Sequence, residues 1–213
     1  MNSNKPLLTM LSRRGLIAAM LGLFMVVSVR PAAAASDDDV LAFTKTLGDA
    51  VVELLADQTL TSQNRTDQLI TLLDGAIDLQ ILGKAVLARH WRTATEIQRE
   101  EYLGLFRELA VAQVSDILNS YSFGGETYEI GKIVNLRPDR LWSVHTTIIR
   151  PDSPEIALQW VVLKKKTGDL VLFDVKAEEF SLVNTKRDEF GSVVSRHGID
   201  GLIDELRQQV AAL

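Results

Sequence analysis

The three histidines, His90, His145 and His197, are the first candidates for acid–base or metal chemistry in this chain. They fall in different predicted elements, and none has the His-x-x-x-His or His-Glu-x-x-His spacing that places zinc ligands on one helix face. Ser143 shares a predicted strand face with His145, which permits a nucleophile–base pair, but no nucleophile-elbow sequence surrounds the serine. Neighbouring polar residues on a strand commonly pair for structural reasons. We therefore do not expect an enzyme.

The lysine run 164–166 is a second candidate site, because its charges could bind phosphate headgroups or an acidic partner. A solvated strand end with edge-protecting charge explains it more simply. The chain contains no cysteine, which excludes a lipid-modified cysteine anchor, a disulfide framework and a thiolate metal site. No metal or cofactor is expected.

Residues 1–35 have the features of a secretory signal peptide. Lys5, Arg13 and Arg14 form a basic n-region, the uncharged stretch 15–29 is mostly apolar, and the alanine run 32–35 offers an A-x-A cleavage site. The apolar stretch is shorter than the roughly 20 residues that a spanning helix needs. The segment SRRGL at 12–16 also fits a twin-Arg signal, so both the Sec and twin-Arg routes stay open. We expect export to the periplasm.

The remaining residues, 36–213, are long enough for a single domain with its own core. The first 35 residues hold four of the 23 basic residues and no acidic one, so residues 36–213 carry 19 basic and 28 acidic residues, a net charge of −9. That balance argues against nucleic acid, which needs a basic footprint, and against permanent adsorption to an anionic membrane.

Apolar residues at helical spacing predict four helices in the N-terminal half. They begin behind the acidic residues 37–39, at Ser62, at Asp78 and after Thr95, where Thr95 and Gln98 fit a capping box. The third is expected to end near Arg92. Two further helices, 181–196 and 200 to the C-terminus, are separated by His197-Gly198.

Between the N-terminal and C-terminal helices, the spacing of apolar residues becomes that of β-strands. Short turn sequences join four such segments, 127–136, 140–150, 155–165 and 170–177. Short turns favour an antiparallel meander. The sequence therefore predicts an α+β fold of N-terminal helices, a four-stranded antiparallel sheet and C-terminal helices packed on that sheet. Strand 140–150 is apolar on both faces, which indicates that both sides of the sheet are partly covered.

Two segments resemble the MlaC family of periplasmic phospholipid-binding proteins, also called toluene-tolerance or ABC-transporter auxiliary proteins. The segment FDVKAEEFSLVNTKRDEF at 173–190 is similar to the family's C-terminal pattern of aromatic-Asp-Val, Glu, Ser-Leu-Val, Arg and Phe. The segment 78–118 follows the family's paired helices, with landmarks at Leu87, Trp91, Arg92, Gln98, Tyr102, Phe106 and Leu109. Ala88 and Glu179 stand where the family usually has glycine.

The resemblance implies a carrier whose apolar cavity between sheet and helices holds phospholipid as cargo. The implied partners are an inner-membrane ABC transporter with an MCE-domain subunit and an outer-membrane lipoprotein complex, and we expect a monomer. Two alternatives stay open: the hopanoid-associated HpnM branch, which shares the scaffold, and a periplasmic protein-binding adaptor with a filled core.

Eleven side chains are candidates to line the cavity, although each would look the same in a filled core. The resemblance, and not the periodicity, favours a cavity. The candidates are Phe106, Leu109, Ile117, Trp142, Val144, Ile148, Trp160, Val162, Phe173, Val175 and Phe180. Arg187 is expected to form an ion pair with Asp174 or Glu178 that stabilises the corner between the last strand and the helix.

Overall fold

The computed structural model describes residues 35–120, 125–151, 153–177 and 180–213, apart from the side chains at 117, 119 and 120. The predicted signal peptide, apart from its last residue Ala35, lies outside these ranges. No helix within them combines the length and the apolar character needed to cross a bilayer.

Helices form where a capping side chain precedes an apolar stripe. Ser36 Oγ accepts a hydrogen bond from the Asp39 amide at 3.2 Å, and the Asp39 carboxylate accepts one from the Ser36 amide at 2.8 Å. The predicted capping box of Thr95 and Gln98 is confirmed by reciprocal bonds of 2.9 and 3.2 Å. The helices are α1 Asp37–Ala56, α2 Ser62–Ala76, α3 Leu79–Leu87, α4 Glu96–Ser120 and α5 Leu182–Ala211.

The third predicted helix is shorter than expected. It ends at Leu87 and gives way to a 3-10 turn, Ala88–Arg92, because Ala88 adopts φ 50° and ψ −120°. This conformation cannot continue a right-handed helix. The predicted break near His197-Gly198 is confirmed: α5 is interrupted at Gly198, whose φ of 73° suits a residue without a Cβ.

The sheet has five strands rather than the four expected. They run as an antiparallel meander in chain order: β1 Thr127–Arg137, β2 Leu141–Arg150, β3 Ser153–Lys164, β4 Leu170–Ala177 and β5 Phe180–Ser181. In the added strand β5, Phe180 pairs with Ala177 and Ser181 with Lys176. Two residues are too few for a periodic signal, so the sequence pattern did not reveal this strand.

Two groups of elements have separate apolar cores. The helices α3, α4 and α5 share one cluster, called here the helical core, which includes Tyr102, Phe106 and Phe190. Helices α1 and α2 instead pack against the sheet. The C-terminal helix α5, expected to lie on the sheet, meets it at β4 and β5 and contributes its buried side chains mainly to the helical core.

Candidate functional site

Six of the predicted lining residues lie on one face of the sheet, called here the inner face. Residues directly opposite each other in an antiparallel pair share a face. Trp142 is opposite Val162, Val144 is opposite Trp160, and Trp160 is opposite Val175 across the next pair of strands. Because side chains alternate between the two faces along β2, Ile148 lies on the same face as Trp142 and Val144. The prediction that strand 140–150 is apolar on both faces is confirmed, because Leu141 and Ile149 lie on the other face.

One end of the inner face is closed by the start of α1. Val40 packs there with Trp142, Val144 and Val162, and all four side chains are fully buried at 0% exposure. The indole Nε1–H of Trp142 donates a hydrogen bond of 2.9 Å to Asp37 Oδ1 at the first turn of α1. This bond satisfies the one polar group that the buried indole carries.

The neighbouring part of the inner face is less completely buried. Ile148, Trp160 and Val175 are half-buried, and the indole Nε1–H of Trp160 donates to Thr146 Oγ1 at 2.8 Å. The inner face therefore combines a sealed apolar end at the start of α1 with half-buried apolar side chains beside it, of which Trp160 and Val175 pack against the buried clusters.

Phe106 and Leu109 belong to the helical core and not to the inner face. The ring of Phe106 stacks on Tyr102 at a centroid distance of 5.7 Å and meets Phe190 edge-on at 6.3 Å. Tyr102 is fully buried, its hydroxyl donates to the Gly83 carbonyl at 3.1 Å, and burial raises its pKa.

The last three predicted lining residues lie in separate places. Phe173 is half-buried at a β-bulge, where it is the extra residue between the pairs formed by Leu172 and Asp174 with β3. Phe180, in β5, is 72% exposed. The side chain of Ile117 falls outside the described residues.

The corner between β4 and α5 is held by Asp174 in a different way from that expected. The Asp174 carboxylate accepts hydrogen bonds from Ser181 Oγ at 2.5 Å and from the Val183 amide at 3.1 Å. Arg187 makes no ion pair with Asp174; its Nε–H donates instead to the Ala85 carbonyl of α3 at 3.0 Å. The buried carboxylate therefore accepts one hydroxyl and one amide donor at the start of α5. The other proposed partner, Glu178, lies outside the described residues.

The polar groups considered for catalysis do not form a dyad. Ser143 Oγ lies 3.5 Å from Gln159 Oε1. His145 lines a separate shallow groove on the sheet with Gln159, and burial, followed by the charge of Lys132, lowers its pKa. In the lysine run, Lys165 pairs with Asp78 at 3.3 Å, which joins the end of β3 to the start of α3.

Asp37 and Val40 were not among the sequence candidates, although they close the inner face. Val40 belongs to the apolar stripe that predicts the first helix, but a stripe identifies a buried side and not the surface that it meets. The position of Asp37 in sequence indicates only an acidic helix start.

Comparisons with known proteins agree with this architecture. A family model described as "MlaC protein" matches residues 45–208. A solved structure, the phospholipid-binding protein from Ralstonia solanacearum in complex with a phospholipid, superposes with a TM-score of 0.68 at 22% sequence identity. The match covers 80% of this chain and 96% of that protein. At this level of identity, the likeness shows a shared fold.

Proposed function

The chain belongs to the MlaC family, and on this premise we propose that it binds a phospholipid and carries it through the periplasm. Its donor and acceptor would be an outer-membrane lipoprotein complex and an inner-membrane ABC transporter with an MCE-domain subunit. It would carry out no covalent step and need no cofactor, because the transporter would supply the energy. The Ralstonia solanacearum protein of the same fold holds a phospholipid, which supports this choice of cargo.

The physical need for such a carrier follows from the cost of moving acyl chains through water. Two chains carry about 30 methylenes, each worth about 0.8 kcal/mol, so free transfer faces a barrier on the order of 20 kcal/mol. An exposed apolar patch would adhere to membranes or to other copies. An enclosed apolar chamber avoids both outcomes.

The proposal rests chiefly on half-buried apolar side chains on several elements. In the C-terminal half of α4, apolar residues occur on all sides of the helix, a pattern typical of a helix enclosed by apolar surroundings. Those described here are nevertheless only half-buried: Leu109, Ala110, Val111, Ala112, Val114 and Leu118. Ile148, Trp160 and Val175 on the inner face are likewise half-buried.

We assign different roles to the candidate lining residues. The sealed end, Trp142, Val144 and Val162, would form the floor of the chamber, and the half-buried residues of the inner face would contact the acyl chains. Phe106 would support the wall from the helical core, while Leu109 and Ile117 would line it on α4. Phe173 and the exposed Phe180 would lie towards the opening.

Substitutions on one strand test the proposal, with adjacent residues on opposite faces as a matched pair. Ile148 lies on the inner face and Ile149 on the other, and both are half-buried. We expect Ile148→Asp to purify without phospholipid, because a carboxylate there would have to be desolvated beside the acyl chains. Ile149→Asp should retain it. Organic extraction and mass spectrometry of the mature protein, purified from the periplasm, give the lipid content and separate phospholipid from hopanoid.

Ile148 is the position to substitute, because substitutions at the sealed end cannot test lipid binding. Val144 and Trp142 are fully buried, so an aspartate at either position would unfold the protein and say nothing about lipid. A folded Ile148→Asp protein with an unchanged lipid content would refute the inner-face chamber. A native protein that carries no lipid and takes none from vesicles would support the adaptor instead.

A further inference from the structure

A second recess lies away from the sheet, between the 3-10 turn that follows α3 and one side of α5. It has a volume of about 420 Å³ and is called here the α3–α5 groove. Its lining residues are Leu87, Ala88, Arg89, His90, Arg187, Asp188, Gly191, Ser192 and Ser195.

Cationic and hydroxyl groups dominate the polar lining of this groove, and their positions are held by hydrogen bonds. Arg187 is anchored through Nε to the Ala85 carbonyl and through Nη1 to Asn184 Oδ1 at 2.9 Å. Arg89 donates through Nε to His90 Nε2 at 3.2 Å. A guanidinium has five N–H donors, so both arginines keep further donors for a ligand. Asp188 is the one acidic residue of the lining.

Two backbone features shape the groove. Ala88 holds a positive φ of 50°, which a residue with a Cβ adopts only at a cost in free energy. Gly191 sits inside α5, where glycine disfavours the helix, yet a Cβ at this position would meet nothing within 4 Å. No neighbour requires the glycine, and its absent side chain leaves the groove open.

The geometry points to a phosphate-binding site in the α3–α5 groove, for a small phosphate-bearing group about the size of a lipid headgroup. The guanidinium groups of Arg89 and Arg187 match phosphate oxygens in shape and charge. The hydroxyl of Ser192 can add a further hydrogen bond, whereas that of Ser195 already donates to the Gly191 carbonyl at 2.7 Å. The volume lies in the range of small-molecule sites, roughly 300–1,000 Å³. Residues 36–213 carry a net charge of −9, so an anion would be recognised by this local group of cations and not by the overall charge. The inference does not depend on the apolar chamber.

Titration of the mature protein with glycerol 3-phosphate, followed by the backbone amide resonances, tests this site. We expect shifts in the 3-10 turn and along residues 187–195. Gly191→Ala should weaken binding at least tenfold, because the new methyl group enters the groove, while the melting temperature stays equal or rises. Gly104→Ala is the matched control: it is also a helical glycine with nothing within 4 Å of an added Cβ, but it lies in α4 outside the groove. It should bind as the wild type does.

Arg89→Gln provides an independent variant, because Arg89 is exposed and its removal leaves the core intact. It too should lose at least tenfold in affinity. Sedimentation with phosphatidic acid vesicles then distinguishes the source of the phosphate. Vesicle binding that Gly191→Ala abolishes identifies a membrane headgroup, and binding of glycerol 3-phosphate without vesicle binding identifies a free organophosphate. Absence of shifts in the groove, or equal affinity in Gly191→Ala and wild type, would overturn the proposal.

Discussion

The ring of Tyr128 lies directly against Gly48, with Cζ only 2.7 Å from the place that a Cβ at position 48 would occupy. Its hydroxyl donates to Asp49 Oδ1 at 2.8 Å and lies 3.0 Å from the Lys45 carbonyl oxygen. Gly48 is a buried residue of α1, so the missing side chain is what lets edge strand β1 approach the helix. This contact joins α1 to the sheet at the end opposite the Trp142–Asp37 hydrogen bond.

Gly48→Ala should destabilise the protein by about 1–2 kcal/mol. The substitution gains up to about 1 kcal/mol of helix propensity, but it displaces the Tyr128 ring, and overpacking of this kind costs about 1–3 kcal/mol together with the hydrogen bonds of the hydroxyl. Urea unfolding gives the free energy. Gly104→Ala, with open space around it, should instead stabilise the protein. A Gly48→Ala protein as stable as Gly104→Ala would contradict the contact.

Alkaline pH should weaken the fold through Tyr128. Burial and the hydrogen bond to Asp49 raise its pKa from 10.0 to about 12. Because the folded state favours the neutral phenol, its contribution to stability is complete below pH 10 and is lost as the pH rises towards 12. The unfolding free energy of wild type should therefore fall more steeply than that of Tyr128→Phe over this interval. Equal slopes would show that Tyr128 is not protected in the folded state.

Ala88→Gly should stabilise the protein by about 0.5–1 kcal/mol. Removing a Cβ at positive φ should stabilise the folded state by about 1–2 kcal/mol. Glycine also gives the unfolded chain more conformational freedom, which offsets part of this gain. The urea midpoint should rise. Ala85→Gly, within the regular part of α3, is the control and should lose about 1 kcal/mol. If both variants are equally destabilised, the left-handed conformation at Ala88 is not costly.

Asp174→Ala should destabilise the protein by about 2–3 kcal/mol, because it leaves the Val183 amide without its acceptor in a buried corner. Asp174→Asn keeps a side-chain oxygen and should lose clearly less. Thermal melts of the two variants give the comparison. Identical losses would mean that the volume of the side chain, and not hydrogen bonding to the start of α5, determines the effect.

Several features of this protein follow from its sequence alone because they depend on neighbours a few residues apart. The Thr95–Gln98 capping box spans one helical turn, so its residue types suffice to predict it. The shared face of Trp142 and Val144 follows from the alternation of any strand. The family resemblance also follows from the order and spacing of residues. It implied a phospholipid cargo, which the periodicity of apolar residues could not indicate.

Contacts between distant parts of the chain were decided only by the tertiary structure. An apolar stripe shows that a side is buried but not what buries it, so Val40 over Trp142 and the separate core around Phe106 could not be predicted. The same holds for Arg187, which reaches the Ala85 carbonyl instead of a nearby carboxylate. The residue type of Ala88 gives no sign of its positive φ either, since alanine disfavours that conformation. Local spacing therefore determines elements and their faces, whereas the path of the whole chain determines which faces meet.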